Sequence, residues 1–93
     1  MGLDTLPNAP LQTAAELGAV LRAQRKSQGL TLEQLSGLSG LGMRFLSELE
    51  RGKATAELGK TLKVAQLLGL DCHLVPRSQS PLLAPDTKHG HSD

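Results

Sequence analysis

The apolar residues between Thr13 and Gly69 recur every three or four positions, which is the spacing of one face of an α-helix. Leu17, Val20 and Leu21 mark the first such face. Glycines interrupt the pattern at intervals, so it predicts four short helices rather than one long helix. The glycines expected to end or separate these helices are Gly29, Gly40, Gly52 and Gly69.

Three threonines stand where helices are expected to begin. Thr13 and Glu16 form a capping box, in which the hydroxyl accepts from the Glu16 backbone N–H and the Glu16 carboxylate reaches back. Thr31 and Gln34 repeat this arrangement, and Thr55 is the expected cap of the fourth helix. Gly40 is expected in the left-handed conformation that a tight turn requires.

The core is expected to be aliphatic, because Phe45 is the single aromatic residue of the chain. Its expected members in the last three helices are Leu35, Leu38, Phe45, Leu46, Leu49, Leu58, Leu62, Ala65 and Leu68.

In the segment Leu70–Val75 the apolar residues Leu70, Cys72 and Leu74 recur at every second position, which predicts a strand. Pro76 is expected to end this strand. A lone strand leaves its backbone N–H and C=O groups unpaired, and the chain offers no second strand. We therefore expect an antiparallel pair with the same strand of a second copy, and a homodimer. Its dimerisation residues are Leu70, Cys72, His73 and Leu74, with Leu70, Cys72 and Leu74 buried over the helices.

The chain is thus expected to comprise a flexible arm (1–12), a helical domain (13–69), a dimerisation strand (70–76) and a disordered tail (77–93). No apolar run approaches the roughly 18 residues of a membrane span. The arm has no Lys or Arg, so a secretory signal is not expected, and the single cysteine fits a cytoplasmic protein. The net charge of +1 is small. Between Thr13 and Lys63, eight basic residues stand against five acidic ones, and a second copy would double this excess of three.

Several other kinds of site are disfavoured by spacing. Gly37, Gly40 and Gly42 follow a helix and have the wrong order for a phosphate-binding loop. Cys72 and His73 would point to opposite sides of a strand, which disfavours a nucleophilic pair. His89 and His91 have no further metal ligands nearby. We therefore expect no enzyme activity, metal or cofactor.

The segment Leu30–Lys53 predicts two short helices joined by a tight turn, the unit that places a helix in the major groove of DNA. The alternative is a structural helix pair that binds only protein, in which a purely solvated face would explain the charges. It would not explain the short helix, the tight turn and the basic loop together. The residues expected to read bases lie opposite the apolar face of the second helix: Met43, Arg44, Ser47 and Glu48.

Arg44 suits guanine O6 and N7, whereas Glu48 either accepts from cytosine N4 or holds Arg44 or Arg51 in place. The expected phosphate contacts are Arg51, Lys53, Thr31 and Arg22.

The run from Leu46 to Lys53, LSELERGK, together with Leu30, Thr31, Leu35, Gly40 and Leu41, resembles the helix-turn-helix of the lambda-repressor-like (Xre-type) family. The resemblance implies an all-α fold of four or five helices and double-stranded operator DNA as the ligand. It also implies an ion pair between Arg25 on the first helix and Glu50 at the end of the third. Leu32 departs from the family pattern, in which many members carry a polar residue that touches the DNA backbone.

The stretch from Gly42 to Leu74 is similar, more narrowly, to HipB-type antitoxins. That resemblance implies dimers paired through a C-terminal strand, repression at a palindromic operator, and binding to a HipA-type kinase toxin. Two alternatives stay open: a transcriptional regulator with no toxin partner, and a protein-interaction module that does not bind DNA.

Overall fold

A computed structural model describes residues 10–77, where four α-helices are joined by short connections. The predicted arm and tail, with His89 and His91, lie almost entirely outside this range. The all-α fold is confirmed, and residues 10–77 contain no strand. The helices are α1 (Ala14–Ser27), α2 (Leu32–Ser39), α3 (Met43–Glu50) and α4 (Leu58–Leu67).

Local hydrogen bonds set the starts of α1 and α2, as predicted. The Glu16 backbone N–H donates to Thr13 Oγ1 at 3.0 Å, and Glu16 Oε1 accepts from the Thr13 N–H at 3.2 Å. Thr31 and Gln34 form the same box, with distances of 3.0 and 2.9 Å. Gly40 ends α2 with φ of 75°, so its predicted left-handed conformation is confirmed. Each cap stabilises its helix by about 1 kcal/mol.

The start of α4 differs from the prediction. Glu57, not Thr55, precedes the helix, and its side chain makes no capping hydrogen bond. Leu58 and Leu62 are exposed, so their predicted burial is wrong. Thr61 is buried in their place, and its hydroxyl is satisfied there because it donates to the Glu57 carbonyl at 2.8 Å. The buried residues of α4 are Thr61, Val64 and Ala65, and the buried Leu68 follows directly after the helix.

The core lies where α3 packs against α1 and α2, with α4 covering α2. Leu38, expected inside, is exposed, because Leu35 and Ser39 occupy the inner side of the short α2. Phe45 is only partly buried, at the edge of the core. The buried apolar residues are Leu21, Leu35, Leu46, Leu49, Val64, Ala65 and Leu68.

The segment after α4 is not a strand within the single chain. Its start is anchored, since the Leu70 N–H donates to the Ala65 carbonyl at 2.8 Å and Leu70 packs against the core. Cys72 is exposed and Leu74 is 93% exposed, so their predicted burial on the chain's own helices is wrong. A strand here requires a partner edge, and pairing with a second copy stays a prediction.

Candidate nucleic-acid interface

The turn between α2 and α3 is fixed by two serines of α2. Ser36 Oγ donates to the Leu41 carbonyl at 2.6 Å, and the buried Ser39 Oγ accepts from the Leu41 N–H at 3.1 Å. Neither serine was singled out by the sequence pattern, because small polar residues in a helix are usually solvent-exposed. With Gly40 in its left-handed conformation, these bonds set the direction in which α3 leaves the turn.

Helix α3 has one buried and one polar face. Leu46 and Leu49 are buried against the other helices. On the other side, Met43 and Arg44 are exposed, while Ser47 and Glu48 are partly exposed. The structure therefore brings all four predicted base-reading residues onto one face of a single rigid helix.

Glu48 is the centre of a charge cluster on that face. Its Oε2 lies 3.3 Å from Arg44 Nε, and its Oε1 lies 3.0 Å from Lys53 Nζ. The hydrogen bond from Lys53, with a further one from Arg44, holds the pKa of the Glu48 carboxyl below its ordinary value. Arg51 does not join this cluster, since its Nη1 donates to Ser47 Oγ. Of the two residues that Glu48 was expected to hold in place, Arg44 is the one it contacts.

The four expected phosphate-binding residues occupy three places. Arg51 and Lys53 follow α3 and line a shallow depression with Glu48 and Gly52. Thr31 caps α2 from the position before it, where its hydroxyl already accepts from the Gln34 N–H. Arg22 is exposed on α1. The loop after α3 thus carries two cations beside the polar face, while Thr31 has a structural task of its own.

An enclosed ion pair joins the end of α3 to α1. Arg25 Nε and Nη2 lie 2.7 and 2.9 Å from the two carboxylate oxygens of Glu50, and Arg25 Nη1 donates to the Leu30 carbonyl at 2.7 Å. The side chains are only 8% and 6% exposed. Hydrogen bonding to Glu50 raises the pKa of the Arg25 guanidinium, so this contact favours the charged form of Arg25. One guanidinium therefore fixes α1, the loop before α2 and the end of α3.

A second contact between these helices was missed by the sequence pattern. The Cα of Gly18 in α1 is so close to the last turn of α3 that a Cβ there would lie 2.6 Å from the Glu50 carbonyl oxygen. A glycine inside a helical run was the available indication, since it weakens a helix unless packing requires it.

Comparisons with known proteins agree with this geometry. A family model described as a helix-turn-helix domain matches residues 16–77. A protein of Sinorhizobium fredii named HTH-type transcriptional regulator y4mF is 48% identical over 59 residues, which cover 63% of this chain and 78% of that protein. HTH-type transcriptional regulator y4dL of the same organism is 36% identical over 63 residues, which cover 68% of this chain and 32% of that protein.

Solved structures share the fold at low sequence identity. A HipB–O4 20mer complex superposes with a TM-score of 0.68 and 20% identity, covering 73% of this chain and 96% of that one. The complex of a HipB variant with an O2 20mer gives the same TM-score and identity, with 73% and 94% coverage. Within the part of the chain that the structure describes, no helix is long and apolar enough to cross a membrane.

Proposed function

Since the chain belongs to the helix-turn-helix family of DNA-binding transcriptional regulators, we propose that it represses transcription by binding a palindromic operator as a homodimer. The observation that carries this proposal is the polar face of α3. Arg44 is 90% exposed there and uses only its Nε in the contact with Glu48. Both of its Nη groups are left for guanine O6 and N7 in the major groove.

The remaining residues divide between bases and phosphates. Met43 offers an apolar contact to a thymine methyl group, and Ser47 offers a hydroxyl to a base edge. Arg51 and Lys53 flank this face and are the proposed phosphate contacts, with Thr31 and Arg22 as further ones. Phosphate contacts fix the register of α3, and the base contacts of α3 then supply the sequence preference.

The homodimer is proposed to form through residues 70–75. This segment exposes Leu74 and Val75. Its residues from Leu70 to Leu74 line an open groove of about 500 Å³ together with Leu62, Ala65 and Gln66 of α4. Exposed leucines and an unpaired backbone edge in one place support pairing with the same segment of a second copy.

The finer proposal is that the repressor is the antitoxin of a HipA-type kinase toxin. Its support is the fold shared with HipB and the similarity of the stretch from Gly42 to Leu74 to that subgroup. A regulator without a toxin partner is the second candidate, favoured by the 48% identity to a protein named only as a transcriptional regulator. Co-expression with the kinase-like protein of a neighbouring gene, followed by co-purification, separates the two.

The test of DNA binding is a mobility-shift titration with the promoter fragment of the chain's own gene, in excess unrelated DNA. We expect Arg44→Ala to lose about 1–3 kcal/mol of binding free energy and its preference at one half-site position. Lys63→Ala removes the same charge from α4 and is the matched control. If the chain binds the fragment no more tightly than it binds unrelated DNA, the proposal fails and the protein-interaction module is the alternative that remains.

A further inference from the structure

We propose that Glu48 is a positioning residue, which holds Arg44 and Lys53 in their DNA-facing orientations and lowers non-specific attraction, and that it does not read a base. This inference rests on the proposed function, and it assigns one of the two roles that the sequence leaves open for Glu48.

Both carboxylate oxygens of Glu48 are engaged by cations of its own chain. Oε1 accepts from Lys53 Nζ at 3.0 Å and Oε2 accepts from Arg44 Nε at 3.3 Å. A carboxylate that reads cytosine must present an oxygen to the exocyclic amine, and reaching for it would weaken these contacts. Arg44 gives up nothing needed for guanine, since its two Nη groups stay free.

The exposure of Arg44 and Glu48 shows which of the two side chains is held in place by the other. Arg44 is 90% exposed and would otherwise sample many rotamers, whereas Glu48 is 25% exposed and sits one turn further along α3. Ordering a long side chain on binding costs conformational entropy. A contact that restricts Arg44 in the free protein removes part of that cost beforehand.

The same carboxylate also acts against indiscriminate binding. It stands between two cations on the face that would meet a polyanion, and like any carboxylate with an ordinary or lowered pKa it is charged at neutral pH. Non-specific attraction to DNA depends on the number of uncompensated cations. Specificity is the difference between the affinity for the matching operator and the affinity for other DNA. A paired carboxylate that weakens every complex except the one with the matching guanine therefore increases specificity.

The experiment compares the full chain with Glu48→Gln, Arg44→Ala and the double variant. Each is titrated against its operator, against single-base-pair variants of the operator, and against unrelated DNA. Glu57→Gln is the matched control, because it removes a carboxylate that pairs with Lys60 at 2.7 Å outside α3. Thermal unfolding of each variant verifies that it is folded.

We expect Glu48→Gln to bind unrelated DNA several-fold more tightly and to lose discrimination at the base pair that Arg44→Ala affects, by about tenfold. In a chain that already carries Arg44→Ala, Glu48→Gln should cause no further loss of discrimination, because a residue that acts through Arg44 has no effect once Arg44 is removed. A merely structural loss would weaken binding to both kinds of DNA. The proposal would be overturned if Glu48→Gln lost discrimination at a different base pair and if its effect added to that of Arg44→Ala. Glu48 would then read a base directly.

A second measurement does not depend on DNA. In the free protein, the Arg44 Nε–H should exchange with solvent more slowly than it does in Glu48→Gln, because it donates to the Glu48 carboxylate. Equal exchange in both proteins would also overturn the proposal. If the parent chain fails to bind its promoter fragment, the proposed function is refuted. The positioning role is then refuted as well, even if the Arg44 Nε–H resonance is protected.

Discussion

Gly18 of α1 lies directly against the main-chain carbonyl oxygen of Glu50, the last residue of α3. The side chain of the same Glu50 is held by Arg25, two turns further along α1. The end of α3 is thus fixed by a backbone contact and by a buried ion pair. A groove-reading helix needs such fixation, because base contacts tolerate little displacement.

The close approach at Gly18 makes any side chain there costly. Gly18→Ala gains helix propensity of up to about 1 kcal/mol, but the added methyl group meets rigid backbone. We expect a net loss of about 1–3 kcal/mol in the free energy of unfolding, measured by chemical denaturation. Gly37→Ala is the control, since a Cβ at Gly37 in α2 meets nothing within 4 Å and should be neutral or stabilising. Equal stability of the two variants would show that the helices can separate freely.

Removing one member of the Arg25–Glu50 pair leaves a buried charge without a partner. We expect Arg25→Ala to lower the free energy of unfolding by about 3–5 kcal/mol. It also leaves the Leu30 carbonyl without its donor. Arg22→Ala, on the exposed side of the same helix, should change stability by no more than about 0.5 kcal/mol. A double-mutant cycle with Glu50→Gln measures the coupling, and a coupling energy near zero would be inconsistent with this pair.

The charge cluster predicts a pH dependence through Glu48. Its pKa is lowered in the folded protein, chiefly by Lys53 and then by Arg44. Any stabilisation from the cluster is therefore present above the ordinary carboxyl pKa and is lost as the pH falls through the lowered folded value. A side-chain carboxyl NMR titration should show Lys53→Met raising the Glu48 pKa toward its ordinary value. Arg51→Ala should leave it unchanged, since Arg51 donates to Ser47 instead.

The sequence predicts features that depend on neighbouring residues and misses those that depend on packing. Both capping boxes and the left-handed Gly40 follow from a few adjacent residues, and all three are present. The burial of Leu38 and Leu58 was predicted wrongly, because two-turn and three-turn helices bury a narrow stripe whose direction the other helices decide.

The same distinction between local and packing-dependent features applies to the candidate site. The polar face of α3 follows from helical periodicity, which places Arg44 and Glu48 one turn apart. That Lys53 rather than Arg51 pairs with Glu48 depends on the path of the loop after α3, which periodicity does not describe. The role of Gly18 depends on backbone groups of α3 that are distant in sequence, and the burial of Ser39 and Thr61 depends on how the helices pack around them.

The segment Leu70–Val75 provides the last prediction, which concerns assembly. If its backbone edge pairs with the same segment of a second copy, His73→Pro removes an N–H donor from the ladder and should dissociate the dimer. Operator binding should weaken with it, because each half-site alone makes too few contacts. His73→Ala keeps the backbone N–H and an exposed position, so it should remain dimeric. Sedimentation equilibrium at micromolar concentration measures the oligomeric state of both variants. A fully dimeric His73→Pro chain would place the interface elsewhere. The exposed Leu58 and Leu62 of α4 would then be the next residues to substitute.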